Sequence, residues 1–431
     1  MKPTILTSAI LLLAGYVTAF PAWNEDATLA PLYQSPESEP IKDSYIVVLK
    51  DHVDTSNVQS HCHWVGNLLK RDLTATDYLD PVAADGITHT YDTPGMKGYA
   101  GKFSESVLDH IRRSPEVAYV ERDSMVYTNE LERGAPWGLA RISNRKRLTF
   151  ATFSKYNYKE NGGKGVKVYV IDTGINVDHE DFQGRAEWGT TFADDGDEDG
   201  NGHGSHCAGT IAGAKYGVAK LAEPVAVKVL SSQGSGSNKW VIAGIQYAID
   251  SHETDAAKGN KNFKGSVANM SLGGGKSRAL DAMVNAAVDS GITFAVAAGN
   301  DNADACKYSP AAAESAITVG ASTLADERAY FSNYGKCVDV FAPGLNIKST
   351  WTGSKYATNV ISGTSMASPH VAGLAAYFIS FEESVVVPKT IKDKILRLAT
   401  PGVLTSIPSD TPNLLIYNNY QEDNNGYQGY I

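Results

Sequence analysis

The sequence predicts an α/β protein: a domain with a central parallel sheet, helices on both faces, preceded by a small α+β unit of ferredoxin-like type. Three observations predict this. Mainly apolar runs (VKVYVI at 166–171, VAVKVL at 225–230, VANMSL at 267–272, ITFAVA at 292–297) alternate with stretches of helical spacing. Runs without strict apolar/polar alternation are strands buried on both sides, as in parallel sheets. Ahead of residue 128 the order is strand, helix, strand, strand, helix, strand, a split β–α–β arrangement. The 431 residues accommodate both units, since domains average roughly 100–200 residues.

At the N-terminus, Lys2 precedes an apolar run from Ile5 to Val17 and then the small Ala19. That order reads as a secretory signal peptide over 1–19, and the run is too short to span a bilayer comfortably. Residues 20–42 are rich in Pro, Glu, Ser and Ala and read as a flexible leader. The β-branched SYIVVLK (44–50) opens the small unit as a strand. Strands at 87–91 and 99–103 flank a Pro94-Gly95 turn; SESVLDHIRR (104–113) is a helix; 117–120 and 125–127 are strands. In the larger domain a further strand lies at 316–319, with helices at 203–213, 239–252, 278–290 and 365–380. HETDAAKGNKNFKG (252–265) reads as a polar surface loop, and the Asn-, Tyr- and Gly-rich 418–431 as a disordered tail.

Composition narrows the function. A formal charge of −10 and a pI near 5.5 argue against nucleic-acid partners, whose phosphates reward basic surfaces. Past the signal peptide no apolar stretch approaches the ~18 residues of a membrane helix, so no membrane association is expected after its removal. Cys62, Cys207, Cys306 and Cys337 would enter an oxidising pathway, and the last two could close a modest loop.

The stretch DEDGNGHGSHCAG (197–209) sets two histidines and a cysteine behind a block of carboxylates. Zinc would need paired ligands at metal spacing. Asp195, Asp197, Asp199 and Gly200 fit the first half of an EF-hand loop, but its twelfth position, which needs a bidentate Glu, holds His206. His61-Cys62-His63 has no partner ligands nearby and reads as a surface turn or helix face.

Three motifs stand instead at element ends. Asp172 closes VKVYVI and opens Asp-Thr-Gly; His203 lies in Gly202-His203-Gly204 at a helix start; Ser365 lies in GTSMASPH at another. Helix N-termini offer free amide donors and a positive dipole end, which suit a developing anion. A G-x-S-x-G elbow fails at Ala367. His370, five residues beyond Ser365, should point away from it, and His206 reads as structural. Asp178 and Asp181 sit in a polar turn.

These motifs carry a resemblance. VIDTGIN (170–176), GNGHGSHCAGT (200–210), ANMSLGGGKS (268–277), FAVAAGNDNADAC (294–306), YFSNYGKCVDVFAPG (330–344) and SGTSMASPHVAG (362–373) resemble the subtilisin-like serine proteases. The chain order Asp, His, Ser is that of subtilisin. The likeness is strongest to the proteinase K branch and its cerevisin-like, fungal vacuolar members, and covers roughly residues 44–417. Ser205 stands where threonine is usual, a change that keeps a hydroxyl.

The resemblance implies a subtilisin-like three-layer domain over 130–417. Before it would lie a propeptide over 20–129 (core about 44–127), chaperone and inhibitor, cut close to Asn129–Glu130. It implies Ser365 as nucleophile, His203 as base and then acid, Asp172 as orienter, and Asn300 with the Ser365 amide as oxyanion donors. Cys207 would lie beneath the imidazole as a free thiol sensitive to mercurials, and Cys306 would pair with Cys337. A structural calcium ion would sit at Asp339 with carbonyls near Glu314 and Ala316; no organic cofactor is implied. Gly234-Ser235-Gly236 and Ser271-Leu272-Gly273 would be the edges between which a substrate strand lies, and Ala297-Ala298-Gly299 would wall its primary pocket. The implied function is a serine endopeptidase of broad specificity favouring apolar and aromatic residues. It would be a monomer, made as a zymogen in the secretory pathway, that cleaves proteins and peptides in a vacuole or outside the cell. A dibasic-specific protease would show Asp-Asp-Gly at 172–174, and a silent binding protein is the competing class.

Overall fold

The computed structural model describes residues 29–34, 40–75, 86–93, 96–124, 129–260, 262–384 and 386–420. The expected signal peptide, Pro94-Gly95 turn and 125–127 strand lie outside the described residues. Contacts divide the chain into two units, 1–126 and 127–431.

The smaller unit is a five-stranded sheet in the order Leu32–Tyr33, Val117–Ser124, Pro40–Leu49, Met96–Lys102, Gly86–Thr93, with helices Thr55–Ala75 and Glu105–Arg112. Alternate residues of the central strand (Tyr45, Val47, Leu49) join the helix residues Val65, Val107 and Ile111 in one core. The Ser104 hydroxyl accepts from Val107 N and caps the second helix. His61-Cys62-His63 lies on the helix Thr55–Ala75, one of its two expected readings, although His61 faces the core, with Nδ1 2.8 Å from Glu116 Oε2 and Nε2 3.1 Å from the Tyr99 hydroxyl. One expectation changes here. The leader is partly structured: Ala30 N donates to Arg112 O, and Leu32–Tyr33 pairs in parallel with Val120 and Glu121. A two-residue strand is too short to carry a period in sequence.

In the larger unit seven parallel strands run in the order Val340–Pro343, Ile317–Ser322, Ile292–Ala297, Gly265–Met270, Val166–Asp172, Glu223–Lys228, Glu187–Thr191. Leu414–Leu415 and Thr400–Pro401 extend one edge. Val168 and Val170 pack on one face with Ile211 of the helix His203–Ala212 and with Val371 and Leu374 of Thr364–Ser380. Tyr169 and Ile171 pack on the other with Val241 and Ile245 of Asn238–Ala257 and with Leu280 and Val284 of Arg278–Asp289. Both faces are dry, hence the apolar runs, and the three-layer α/β arrangement is the one the sequence predicts. The chain winds first toward the Glu187 edge and then, from Gly265, toward the other. The winding therefore reverses between the Asp172 strand and the Met270 strand, and crevices form at the carboxyl ends of strands at such a point.

Three expectations change in this unit. The helix Asn238–Ala257 continues into the expected loop because His252 is buried on Ser266 Oγ (2.9 Å) and Asp255 pairs with Lys167 (2.9 Å). A helix Pro388–Leu398 adds to the expected set; its early proline and its buried Ile391, Ile395 and Leu398 are the signal for it. Asn418, expected in the tail, is buried and donates from its backbone to Ile142 O (2.8 Å) and from its side chain to Asn157 O (2.7 Å), while 421–431 lie outside the described residues.

Candidate active site

Asp172 ends a strand buried at every residue but Lys167, and its own side chain is 0% exposed. Its Oδ1 accepts from Thr173 N (2.7 Å) and stands 2.8 Å from His203 Nδ1. An ionised carboxylate only accepts, so Nδ1 carries the proton and Nε2 is left as the ring's acceptor. Burial pushes the His203 pKa down, but the charge and hydrogen bond of Asp172, with Asp199 behind, outweigh it and raise the value above 6.5.

The helix that begins at His203 has no side-chain cap on Gly202, and a buried carboxylate from upstream takes that part. Asp199 Oδ1 accepts from Gly202 N (2.8 Å) and Thr173 Oγ1 (2.8 Å); Oδ2 accepts from Ser205 N (3.0 Å) and Ser205 Oγ (2.6 Å). Asp199 thus binds the His203 helix to the Asp172 strand, a role that sequence reasoning missed. Its neighbours turn elsewhere: Asp195 to Lys228 (3.3 Å) and Ser232, Asp197 to Thr191. The three do not converge on one ion.

Ser365 is the second residue of its helix, and Pro369 lies four residues on. Proline has no N–H, so the Ser365 carbonyl loses its helical donor. It accepts instead from Ser271 Oγ (2.7 Å) and Cys207 Sγ (3.4 Å). This vacated carbonyl draws together strand end, helix and thiol. Cys207 Sγ lies within 4.8 Å of ligand atoms of both Asp172 and His203. Burial, with the Asp172 charge, pushes the Cys207 pKa up, so the sulfur is a protonated donor. The Ser365 hydroxyl donates to Ser271 O (3.1 Å) and, among the described residues, not to His203. Such bonds often form only once substrate is bound.

Asn300 follows the strand Ile292–Ala297. Its Oδ1 accepts from Thr364 N (2.8 Å) and Thr364 Oγ1 (2.9 Å), which settles which amide atom is oxygen and leaves Nδ2 as a free-facing donor. A Cβ on Gly363 would stand 3.7 Å from Asn300 Nδ2 and 3.5 Å from Ser365 N. Ser365 N and Asn300 Nδ2 therefore lie near one point, from which Asn300 Oδ1 is also 3.7 Å away. Buried Asn333, also missed from sequence, shapes this turn: Nδ2 donates to Ala298 O (2.9 Å), and Oδ1 accepts from Asp301 N and Ala303 N (3.0 Å each).

Beside the histidine lies a cleft of about 440 Å³. Gly234, Ser235, Gly236, Ser271, Leu272 and Gly273 line it, together with Leu230, Val241 and Leu280. Ala297, Ala298 and Gly299 stand at the next strand end, outside this lining. The rival histidines are engaged: His206 Nε2 with Ile347 O (2.9 Å) and His370 Nδ1 with Met366 O (2.8 Å). Burial lowers each to about 4, so both stay neutral. Cys306 and Cys337 form a disulfide; Cys62 and Cys207 are free. At Asp339, where calcium was expected, the Lys392 ammonium stands 3.0 Å from Oδ2, and the residues present do not fit a metal ion.

Comparison with known proteins accords with this geometry. The pattern of the Subtilase family matches residues 163–427, and that of Peptidase inhibitor I9 matches 44–129. The chain is 57% identical over 436 residues to Subtilisin-like serine protease Pen ch 18 of Penicillium rubens, covering 96% of this chain and 87% of that one. It is 57% identical over 416 residues to Alkaline protease 2 of Aspergillus fumigatus, covering 90% and 83%. A crystal structure of a cold adapted subtilisin-like serine proteinase aligns with a TM-score of 0.60 at 44% identity, covering 66% of this chain and 98% of that one. The chain belongs to the subtilase family of serine proteases, its peptidase domain preceded by an I9-type inhibitor unit.

Proposed function

We propose that this serine protease is an endopeptidase of the proteinase K branch, cerevisin-like, made as a zymogen in the secretory pathway and cut close to Asn129–Glu130. Ser365 attacks the scissile carbonyl, and His203 takes its proton and returns it to the leaving amine. Asp172 holds the ring, while Asn300 Nδ2 and Ser365 N receive the oxyanion. The observation that carries this reading is the 2.8 Å bond from His203 Nδ1 to a buried carboxylate, which leaves Nε2 poised to accept a proton. Every group named comes from one chain, which favours a monomer, and the net charge of −10 disfavours nucleic acid. Among the described residues no helix is long and apolar enough to cross a membrane. A vacuole or the extracellular space would be its place of work.

Asn300→Ala tests the oxyanion assignment. It should lower kcat by about 10²–10³, the loss that subtilisin itself shows for its own asparagine, with KM nearly unchanged because the donor acts on charge that develops after binding. An equal rise in KM at constant kcat would make Asn300 a binding residue instead.

Specificity follows from the cleft, whose named lining has no Asp, Glu, Lys or Arg. Its glycine-bordered edges offer backbone pairing that reads extended shape, and Leu230, Val241, Leu272 and Leu280 offer apolar contact. In peptides varied on the acyl side of the scissile bond, Leu or Phe should exceed Glu and Lys in kcat/KM by at least roughly tenfold. A preference for paired basic residues would overturn this.

A further inference from the structure

The resemblance implies calcium at Asp339, yet a side chain of this protein already fills that place. Lys392 lies on the helix Pro388–Leu398, next to the buried Ile391, with its side chain 18% exposed. Its Nζ reaches Ala316 O (2.6 Å), Asp339 Oδ2 (3.0 Å) and Glu314 O (3.1 Å). These are the oxygens expected to ligate the metal. The carbonyls sit in the turn before the strand Ile317–Ser322, and Asp339 stands just before Val340–Pro343. Asp339 Oδ2 also accepts from Thr318 N (2.8 Å), and Asp339 N donates to Thr318 O (2.9 Å), so the cluster is tied to the ends of two paired strands.

An ammonium has three N–H donors and finds three acceptors here, one of them a carboxylate. Calcium needs six to eight oxygens at about 2.3–2.6 Å. A divalent ion among these three would lie against the ammonium, and like charges so close repel strongly in a partly buried site. We propose that the Lys392 ammonium is the resident cation of this site, an internal replacement for calcium carried by the 388–398 helix. The lysine also pins that helix to the starts of two interior strands, a task that a diffusible ion could not perform.

The test uses the matured enzyme, blocked with a sulfonyl fluoride against self-digestion, with its melting temperature read by calorimetry in EDTA and in millimolar calcium chloride. Wild type and Asp339→Asn should respond to calcium equally, since any response comes from elsewhere. Lys392→Ala should melt lower in EDTA but gain an extra calcium-dependent rise of about 3–8 °C. That rise should vanish in the Lys392→Ala, Asp339→Asn double variant. Lys392→Met keeps the aliphatic stem and serves in place of Lys392→Ala if truncation prevents folding. A wild-type response that Asp339→Asn removes would show calcium displacing the lysine and overturn the proposal. So would a Lys392 variant that gains no calcium response.

Discussion

Ser365→Ala is expected to leave the chain uncut near residues 129–130 and to lower peptide hydrolysis about a million-fold. The size is that which subtilisin itself shows on losing its nucleophile; the direction follows from the geometry here. No neighbouring group can replace the hydroxyl. The Cys207 sulfur is fully buried, donates to the Ser365 carbonyl and has its pKa pushed up by burial, so it holds no thiolate with which to attack. Asn300 and the Ser365 amide survive the change, and a residual ~10³-fold acceleration over water should remain from them and from binding. Intact mass of the expressed chain and hydrolysis of a peptide anilide measure the two effects. One hydroxyl is proposed to make both cuts, so the two readouts should fail together. A variant that still matures and digests casein would end the assignment of Ser365 as nucleophile.

How much of this was legible in sequence depended on whether a feature is local. Five strands of the sheet are legible because strands buried on both faces need nearly continuous apolar runs, and Val168 to Ile171 meet that demand on alternate sides; Glu187–Thr191 and Val340–Pro343 were missed. Asp172, His203 and Ser365 are legible as motif residues because the first ends such a strand and the other two stand in the first turn of helices. Asn333 and Lys392 are not, since each acts through partners far along the chain: Lys392 reaches 76 residues back to Ala316, and Asn333 reaches 35 back to Ala298. Asp199 bonds locally to Gly202 and Ser205, and the part hidden in sequence is its bond to Thr173, 26 residues back. A hydrogen bond across such a distance leaves no period to read. Pro369 is an intermediate case. Its position four residues after Ser365 announces a vacated carbonyl in sequence, but only the fold shows that Ser271 and Cys207 fill it. The missed helix Pro388–Leu398 was readable from its period.

Asp172→Asn should lower kcat about 10⁴-fold, or ~5.5 kcal/mol of transition-state stabilisation, and should also move the pH profile. Two effects of the carboxylate are lost together. In the proposed mechanism its charge stabilises the imidazolium that forms as His203 takes the serine proton, and its acceptor-only chemistry keeps the Nδ1 proton in place. An asparagine can turn its NH₂ toward Nδ1; the ring then protonates on Nε2 and cannot act as base. The same Oδ1 accepts from Thr173 N, so an NH₂ turned to that place gives up this one hydrogen bond, and the melting temperature of the variant shows whether the fold bears the loss. The sign of the pH effect follows from the balance at His203. In the wild type the carboxylate outweighs burial and raises the pKa above 6.5, so the base is neutral only at higher pH and the acidic limb of kcat/KM lies above that value. Without the charge, burial dominates, the pKa falls, and the limb moves to lower pH even as the plateau drops. A merely structural aspartate would lower the plateau and leave the limb where it was. A variant with full activity, or one whose limb stays or rises, would show that Asp172 does not act on the base.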